Sequence, residues 1–410
     1  MNRHPFNKSL VIWILGSLST VSPFAIDLYL PAFSEIGHAF HTTTARVSFT
    51  VASYFIGMAL GQVLYGPLLD RFGRKKPLYA GLILFMLASG GCIIAENIEQ
   101  LMLYRFVQAL GGSVAWVTAV ALVRDLFAPE ENSRIFSLLV LILGVSPLFA
   151  PSVGGFIASQ WGWQAVFIAL IAIAALIFTA SWLFLPQGQP ADHAVSLRLG
   201  PIFTTFAGIV QEPQFFTYAF SGAFSFATLF IYVAGSPAIF MDHFRINATQ
   251  YGLLFALLSV SFITTSQLSI LLTERFGAQR IYRSALVAQL VISAAFFAAA
   301  LFDLLNLYTT FAFFFGCLAC IGLTNPNATA LALAPFTRNV GSASALLGFT
   351  QIGISALSSA GVGFLAHGRL HWIVALLTTT TLIAVIIHVL GLKRIPSDRH
   401  AKVSNAGPAH

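Results

Sequence analysis

Charge is what this chain lacks. Asp, Glu, Lys and Arg make up 9% of its 410 residues, against 57% that are hydrophobic, and so few polar groups cannot clothe a core of this size in water. A soluble globule is excluded, and lipid has to supply the missing solvent. Cysteine is as sparse: Cys92, Cys317 and Cys320 all sit in apolar stretches, where cysteine reads as a small packing residue. The C-x-x-C of Cys317 and Cys320 has no flanking His or acid to make a metal or redox site, so neither a disulfide nor a metal is expected. No H-E-x-x-H, G-x-S-x-G or P-loop spacing occurs, which removes the usual grounds for an enzyme or a nucleotide-driven pump. The net charge of +7 would suit nucleic acid if the basic residues were gathered on one domain. They are scattered among short loops instead, which argues against such a partner.

What the chain has is long hydrophobic runs. A membrane-crossing helix needs about 20 apolar residues, and twelve such runs occur, near 10–30, 46–69, 78–95, 100–124, 134–159, 163–186, 213–240, 250–273, 280–303, 305–327, 341–364 and 370–392. The fold class is therefore all-α integral membrane, with about 12 transmembrane helices. Arg3 and Lys8 precede the first run as they would in a signal peptide, but it is long, contains Pro23 and Asp27, and has no small-residue cleavage site after Leu30, so it reads as a retained helix. With both termini in the cytoplasm, seventeen of the 21 Lys and Arg fall on the inner side, Arg134, Arg198, Arg338, Arg399 and Lys402 among them, and only Arg46, Arg245 and Arg369 fall outside, as the positive-inside rule requires. A multi-pass protein of the inner (cytoplasmic) membrane is expected. Trp161, Trp163 and Trp372 then lie at outer helix ends.

The runs form two sets of six. Residues 1–186 make an N-terminal half, 187–212 a polar cytoplasmic linker with Gln187, Pro190, Asp192 and His193, 213–392 a C-terminal half, and 393–410 a tail. The loop Asp70-Arg71-Phe72-Gly73-Arg74 after the second run recurs as Glu274-Arg275-Phe276-Gly277-Ala278 after the eighth, 204 residues on, which marks a duplicated unit. The Pro-Ala pairs Pro31-Ala32 and Pro237-Ala238 are a weaker second match. Parallel repeats of this kind hold substrate near the bilayer midplane between the halves.

Asp27 is the one carboxylate well inside an expected span, where a charge costs at least about 2.5–3.5 kcal/mol. Burial and a nearby cation act on such a group in opposite directions, so it can serve as a proton carrier, or else sit near the outer headgroups as a solvated helix end. Arg105, with Gln108 one turn on and Gly111-Gly112 beyond, is the matching cation; it either faces inward and tunes Asp27 or snorkels to the interface. The stretch from Gly66 and Pro67 through Asp70, Arg71, Gly73 and Arg74 reads as a gating loop, with Asp70 at a helix N-terminus paired with Arg124 as a latch. Pro147, Pro151, Gly154 and Gly155 make a kinked, close-packing helix that is either purely structural or a seal against leak. Tyr29, Tyr54, Gln108, Tyr232, Asn327 and Gln351 are candidate cavity residues, each equally open to a packing role. His388, near the end of the last run, reads as an interface residue.

Together these residues resemble the major facilitator superfamily, and within it the drug:proton antiporters of the bicyclomycin-resistance (Bcr/CflA) type. The resemblance spans nearly the whole chain and rests on Asp27-Leu28-Tyr29-Leu30-Pro31-Ala32, the Gly66 to Lys75 loop, Arg105-Phe106-Val107-Gln108, Ala150-Pro151-Ser152-Val153-Gly154-Gly155, Asn325-Pro326-Asn327-Ala328 and Gly341-Ser342-Ala343-Ser344-Ala345-Leu346. It implies a proton-coupled antiporter that exports small amphipathic drugs by alternating access, as a monomer, with the proton gradient as its energy source and no cofactor. It also implies that Asp27 and Arg105 form the proton-coupling pair, the Asp70 loop the latch and the Pro147 to Gly155 segment the antiporter helix. Ala109 and Ala150 stand where the family usually has glycine, and Ser19 stands where some relatives carry a second acid. The competing reading is a proton-coupled carrier of one metabolite, a sugar, nucleoside or amino acid, whose pocket would be richer in polar groups.

Overall fold

A computed structural model describes residues 7–192, 199–336, 340–365 and 370–395. The expectations for Arg3, His193, Arg198, Arg338, Arg369, Arg399 and Lys402, and for the side chain of Arg134, lie outside the described residues. All regular structure within them is helical: α1 (Lys8–Asp27), a 3-10 turn (Leu30–Ala32), α2 (Phe33–Ala39), α3 (Thr44–Phe72), α4 (Lys75–Ile93), α5 (Ile98–Leu126), α6 (Pro129–Trp161), α7 (Trp163–Phe184), α8 (Leu199–Val210), α9 (Pro213–Pro237), a π-helical turn (Ala238–His243), α10 (Ala248–Phe276), α11 (Ala278–Leu301), α12 (Leu307–Leu333), α13 (Val340–Leu365) and α14 (Leu370–Leu392). Among the described residues, 11 helices are long and apolar enough to cross a membrane. The remaining expected span, 134–159, falls inside α6, some of whose side chains are not described.

Local chemistry sets the helix starts. Asn7, Asn97 and Asn306 cap α1, α5 and α12 by accepting from the backbone N–H groups of Leu10, Gln100 and Thr309, and the Thr309 side chain bonds back to complete a capping box. Pro129 and Pro213 open α6 and α9 at the position where a missing N–H costs nothing. Leu87, Ile94, Leu176, Leu183, Leu271 and Leu357 are exposed, as helix faces turned to lipid should be.

The chain forms two compact units. The first contains α1, α2, most of α3, α4 to α7 and the first residues of α10, Ala248–Leu253; the second contains Thr43–Ala52, α8, α9, the rest of α10 and α11 to α14. In the first, α4 packs along α5 and α1 against α6; in the second, α9 packs against α12, α13 and α14. Phe215, Tyr218, Tyr282, Leu286 and Leu331 belong to the core of the second.

The duplication is visible in the backbone. Helices α3 and α10 are both 29 residues long, and each begins and ends at the same 204-residue offset. Gly73 (φ 79°) and Gly277 (φ 81°) both take the left-handed conformation that favours glycine. Arg71 lies over the Phe72 ring at 5.9 Å and Arg275 over Phe276 at 5.3 Å. Both Pro-Ala pairs sit at breaks: α1 gives way to the 3-10 turn holding Pro31 and Ala32, and α9 ends at Pro237, where the π-helical turn begins.

Three expectations are corrected. Gly66 and Pro67 do not break the chain, since α3 runs on to Phe72; a proline inside a membrane helix loses one hydrogen bond that its surroundings make good. The 187–212 segment is not polar throughout, because apolar composition resumes at Leu199 and forms α8. Trp163 is buried, packing on Phe40 at 5.5 Å and Phe167 at 6.1 Å, and is not an interface residue.

The repeated turn yields a stability test. A Cβ at Gly277 would meet nothing within 4 Å, so Gly277→Ala carries only the backbone cost of about 1–2 kcal/mol and should lower the melting temperature in detergent. Gly353, equally free of neighbours but inside α13, should lose nothing on Gly353→Ala and gain up to about 1 kcal/mol of helix propensity. Equal melting of the two variants would contradict the strained turn.

Candidate functional site

The centre of the first unit is Arg105 on α5. It is 0% exposed, which excludes snorkelling. Its Nη1 donates to Gln108 Oε1 at 2.6 Å, and Gln108 Nε2 donates to Ser89 Oγ on α4 at 2.7 Å. The guanidinium lies 4.5 Å from the ring centre of Tyr29 and 4.3 Å from that of Tyr54, with Phe167 at 6.0 Å. Nε and Nη2 have no protein hydrogen-bond partner. A desolvated cation–π contact is worth about 2 kcal/mol, the same order as the roughly 1–3 kcal/mol cost of leaving a buried donor unmade. The aromatic rings therefore hold the charge in place while leaving it two donors short.

Asp27 is the last residue of α1 and 6% exposed, so it is not a solvated helix end. Its hydrogen-bond partner is Ser146 on α6, whose Oγ donates to Oδ2 at 3.4 Å. No hydrogen bond or ion pair joins Asp27 to Arg105. Tyr29, two residues beyond Asp27 in the break after α1, is one of the two rings closest to the Arg105 guanidinium.

Helix α6 continues through Pro147 and Pro151, and Pro151 deprives the Pro147 carbonyl of its helical donor. Gly154 meets the α1 break backbone to backbone; a Cβ there would lie 2.1 Å from the Leu28 carbonyl oxygen. Gly155 faces the Ala248 carbonyl, 2.8 Å from where its Cβ would be. The small residues at this end of α6 thus seat the turn that carries Asp27 and Tyr29.

The third cluster corrects the expected latch. Asp70 sits in the last turn of α3, not at a helix N-terminus, and its partner is Arg74, at 2.5 Å. Arg74 also binds Asp125 through Nε at 2.7 Å and Gln189 through Nη2 at 3.1 Å. The Gln189 N–H donates to Asp125 at 3.0 Å, and the Asp192 N–H to the Asp70 carbonyl at 3.0 Å. Arg124 is exposed and takes no part, because the α5 face that meets Arg74 is the one bearing its neighbour Asp125. Burial works against charge on Arg74, but the hydrogen bonds it donates to Asp125 and Asp70 outweigh that and hold its pKa above the ordinary arginine value. Gly73, left-handed and close to Ala191, lets the chain turn into this network.

Of the six candidate cavity residues, Tyr29, Tyr54 and Gln108 surround Arg105. The other three belong to the second unit, each with partners of its own. Tyr232 stacks on Phe255 at 5.2 Å and meets Phe314 at a tilt, 5.1 Å away. Asn327 donates to Ser269 Oγ at 2.7 Å and the Leu323 carbonyl at 2.8 Å, and accepts from Thr273 at 2.9 Å. Gln351 donates to Asn325 Oδ1 at 3.0 Å. Sequence reading missed Ser89, Asp125, Ser146 and Gln189. The signal for Asp125 was an acid next to the arginine chosen as the latch, and for Ser146 a hydroxyl directly before the first proline of α6.

The chain matches the Major Facilitator Superfamily over residues 15–350. It is 30% identical over 354 residues to a bicyclomycin resistance protein homolog of Haemophilus influenzae, spanning 85% of this chain and 88% of that one. It is 25% identical over 283 residues to a chloramphenicol resistance protein of Pseudomonas aeruginosa, spanning 68% and 65%. The solved structure of a D-xylose-proton symporter superposes with a TM-score of 0.76 at 15% identity, over 98% of this chain and 99% of that one, a likeness of fold.

The Arg74 network is testable by stability. The Asp125 side chain is 4% exposed, so Arg74→Gln strands a buried carboxylate at a cost of about 3–5 kcal/mol. Adding Asp125→Asn should recover most of that loss, and Arg124→Gln should change melting little. A large effect of Arg124→Gln would restore the pairing that the structure replaces.

Proposed function

The chain belongs to the major facilitator superfamily, and we propose that it works there as a proton-coupled antiporter that exports small amphipathic drugs of the bicyclomycin or phenicol kind by alternating access. The observation that carries this reading is Asp27. A charge within the bilayer costs several kcal/mol, and a neutral hydroxyl at 3.4 Å does not offset it; binding a proton does. A group in that position gains and loses H⁺ as its surroundings change.

Coupling runs through the chain and not through an ion pair. A proton arriving at Asp27 alters its hold on Ser146 and so the seating of the α1 break against Gly154. Tyr29 shifts with that break and changes its stacking on Arg105, whose two unbonded donors are then offered to substrate. The Arg74 network with Asp70 and Asp125 latches the far end of α3 and α5 during one part of the cycle. The names of the relatives, resistance to bicyclomycin and to chloramphenicol, support a drug as cargo.

A carrier of one sugar or nucleoside would hold polar groups free for its ligand. The buried polar cluster between α9, α11, α12 and α14 is instead bonded within itself, with Gln289 joined to Ser225 and Thr228, Ser225 to Thr324 and Thr228 to Thr381. We place the protein in the inner membrane as a monomer with both termini cytoplasmic, driven by the proton gradient without a cofactor; the bias of basic residues supports that orientation.

In an efflux-deficient host, the wild type should raise resistance to chloramphenicol or bicyclomycin, and a protonophore should erase the gain. Asp27→Asn should express normally yet fall to the protonophore-treated baseline. Full resistance from that variant would remove Asp27 from the mechanism, and resistance indifferent to the protonophore would remove the proton.

A further inference from the structure

Helix α11 begins immediately after Gly277, so its first turn lies at the surface end of a hairpin of two membrane-crossing helices. That end holds a cavity of about 380 Å³ lined by Tyr218, Gln279, Arg280, Arg283, His388 and Leu392, toward the small end of the roughly 300–1,000 Å³ typical of ligand pockets. Arg280 and Arg283 are one turn apart on the same face of α11 and exposed. Neither makes an ion pair among the described residues. His388 is only 4% exposed, stands against the rings of Tyr218 at 5.6 Å and Tyr282 at 5.1 Å, and has no hydrogen-bond partner at either ring nitrogen. The expectation of an interface residue is therefore corrected: burial leaves an imidazole lining this cavity with its polar atoms unmet, which needs an explanation.

The duplicated turn shows what is missing. In the first unit the basic residue of the turn, Arg74, is neutralised by Asp70 and Asp125. At the equivalent place in the second unit stands Ala278, and the cations sit further along α11 with no ion pair to a carboxylate among the described residues. Two guanidinium groups, an imidazole and the positive end of a 24-residue helix converge on a space that no carboxylate among the described residues lines.

We propose that this cavity binds a phosphoryl group, held by Arg280 and Arg283 at the mouth and by His388 at the floor. Arginine pairs with phosphate oxygens through two parallel hydrogen bonds, and Leu392 beside them suits a phosphate that carries an apolar remainder. A lipid headgroup and a free phosphate both present that chemistry, and the membrane surface supplies the first.

The test uses the purified full-length protein in a neutral detergent, with melting followed while three probes are titrated: phosphatidylglycerol, diacylglycerol of the same chains, and inorganic phosphate against sodium chloride at matched ionic strength. Phosphatidylglycerol should raise the melting temperature and diacylglycerol should not. A shift from inorganic phosphate as well assigns the site to free anions; a shift from the lipid alone assigns it to a headgroup. Arg280→Gln and Arg283→Gln should each weaken the response roughly tenfold, or about 1.4 kcal/mol, and His388→Phe, which keeps the ring packing, should weaken it too. No shift from either phosphorus-bearing probe, or an undiminished shift in the two exposed-arginine variants, overturns the proposal.

Discussion

Inside hydrocarbon a charge has to be given its solvent by the protein, and the described charges within and beside the spans meet that demand in different ways. Arg105 is surrounded by aromatic faces, which attract a cation without supplying oxygen acceptors. Arg74 is clasped by two carboxylates and an amide. Asp27 has one hydroxyl. Compensation is fullest at Arg74 and slightest at Asp27, and at the least compensated group a small change in surroundings alters the balance most. The network that closes completely has the opposite property: it holds one arrangement strongly and suits a latch.

The duplication gives the same lesson twice. Helices α3 and α10 match in length and boundaries, and both turn on a left-handed glycine, so the backbone of the ancestral unit is retained in each copy. The side chains have parted. Asp70 has its counterpart in Glu274, but Ala278 stands where Arg74 would be, and among the described residues the second copy has no ion pair like the one the first holds. Backbone geometry in a membrane is demanding, since every peptide group must be bonded within the protein; side-chain chemistry at the ends of helices, where water returns, is freer to change.

Much of this was legible before the structure. The helical spans and the repeated turn follow from composition and from a 204-residue periodicity, because hydrophobic length and glycine punctuation act locally; Asp27 and Arg105 stood out as charges inside spans, and the structure decided that both are buried. Partners were harder. Arg124 and Arg74 are equally basic, and only the facing of α5 decides that Asp125, one residue on, meets the loop. Asp27 and Arg105 look like an ion pair on charge alone, yet Tyr29 and Tyr54, read as cavity lining, take the positions around the guanidinium. Helix α8 was hidden inside a segment whose polar beginning stood for the whole, and His388 was assigned to the interface because its neighbours on α9 and α11 are far away in the chain.

The seat of the α1 break deserves a last thought. Gly154 touches Leu28 main chain to main chain, with no side chain between them. A joint of that kind has no substituent that evolution can lengthen or trim by small steps. Any other residue at Gly154 would drive a Cβ into the Leu28 main chain, so the shape of this seat is set by backbone alone, whereas side chains lining a cavity can change by degrees.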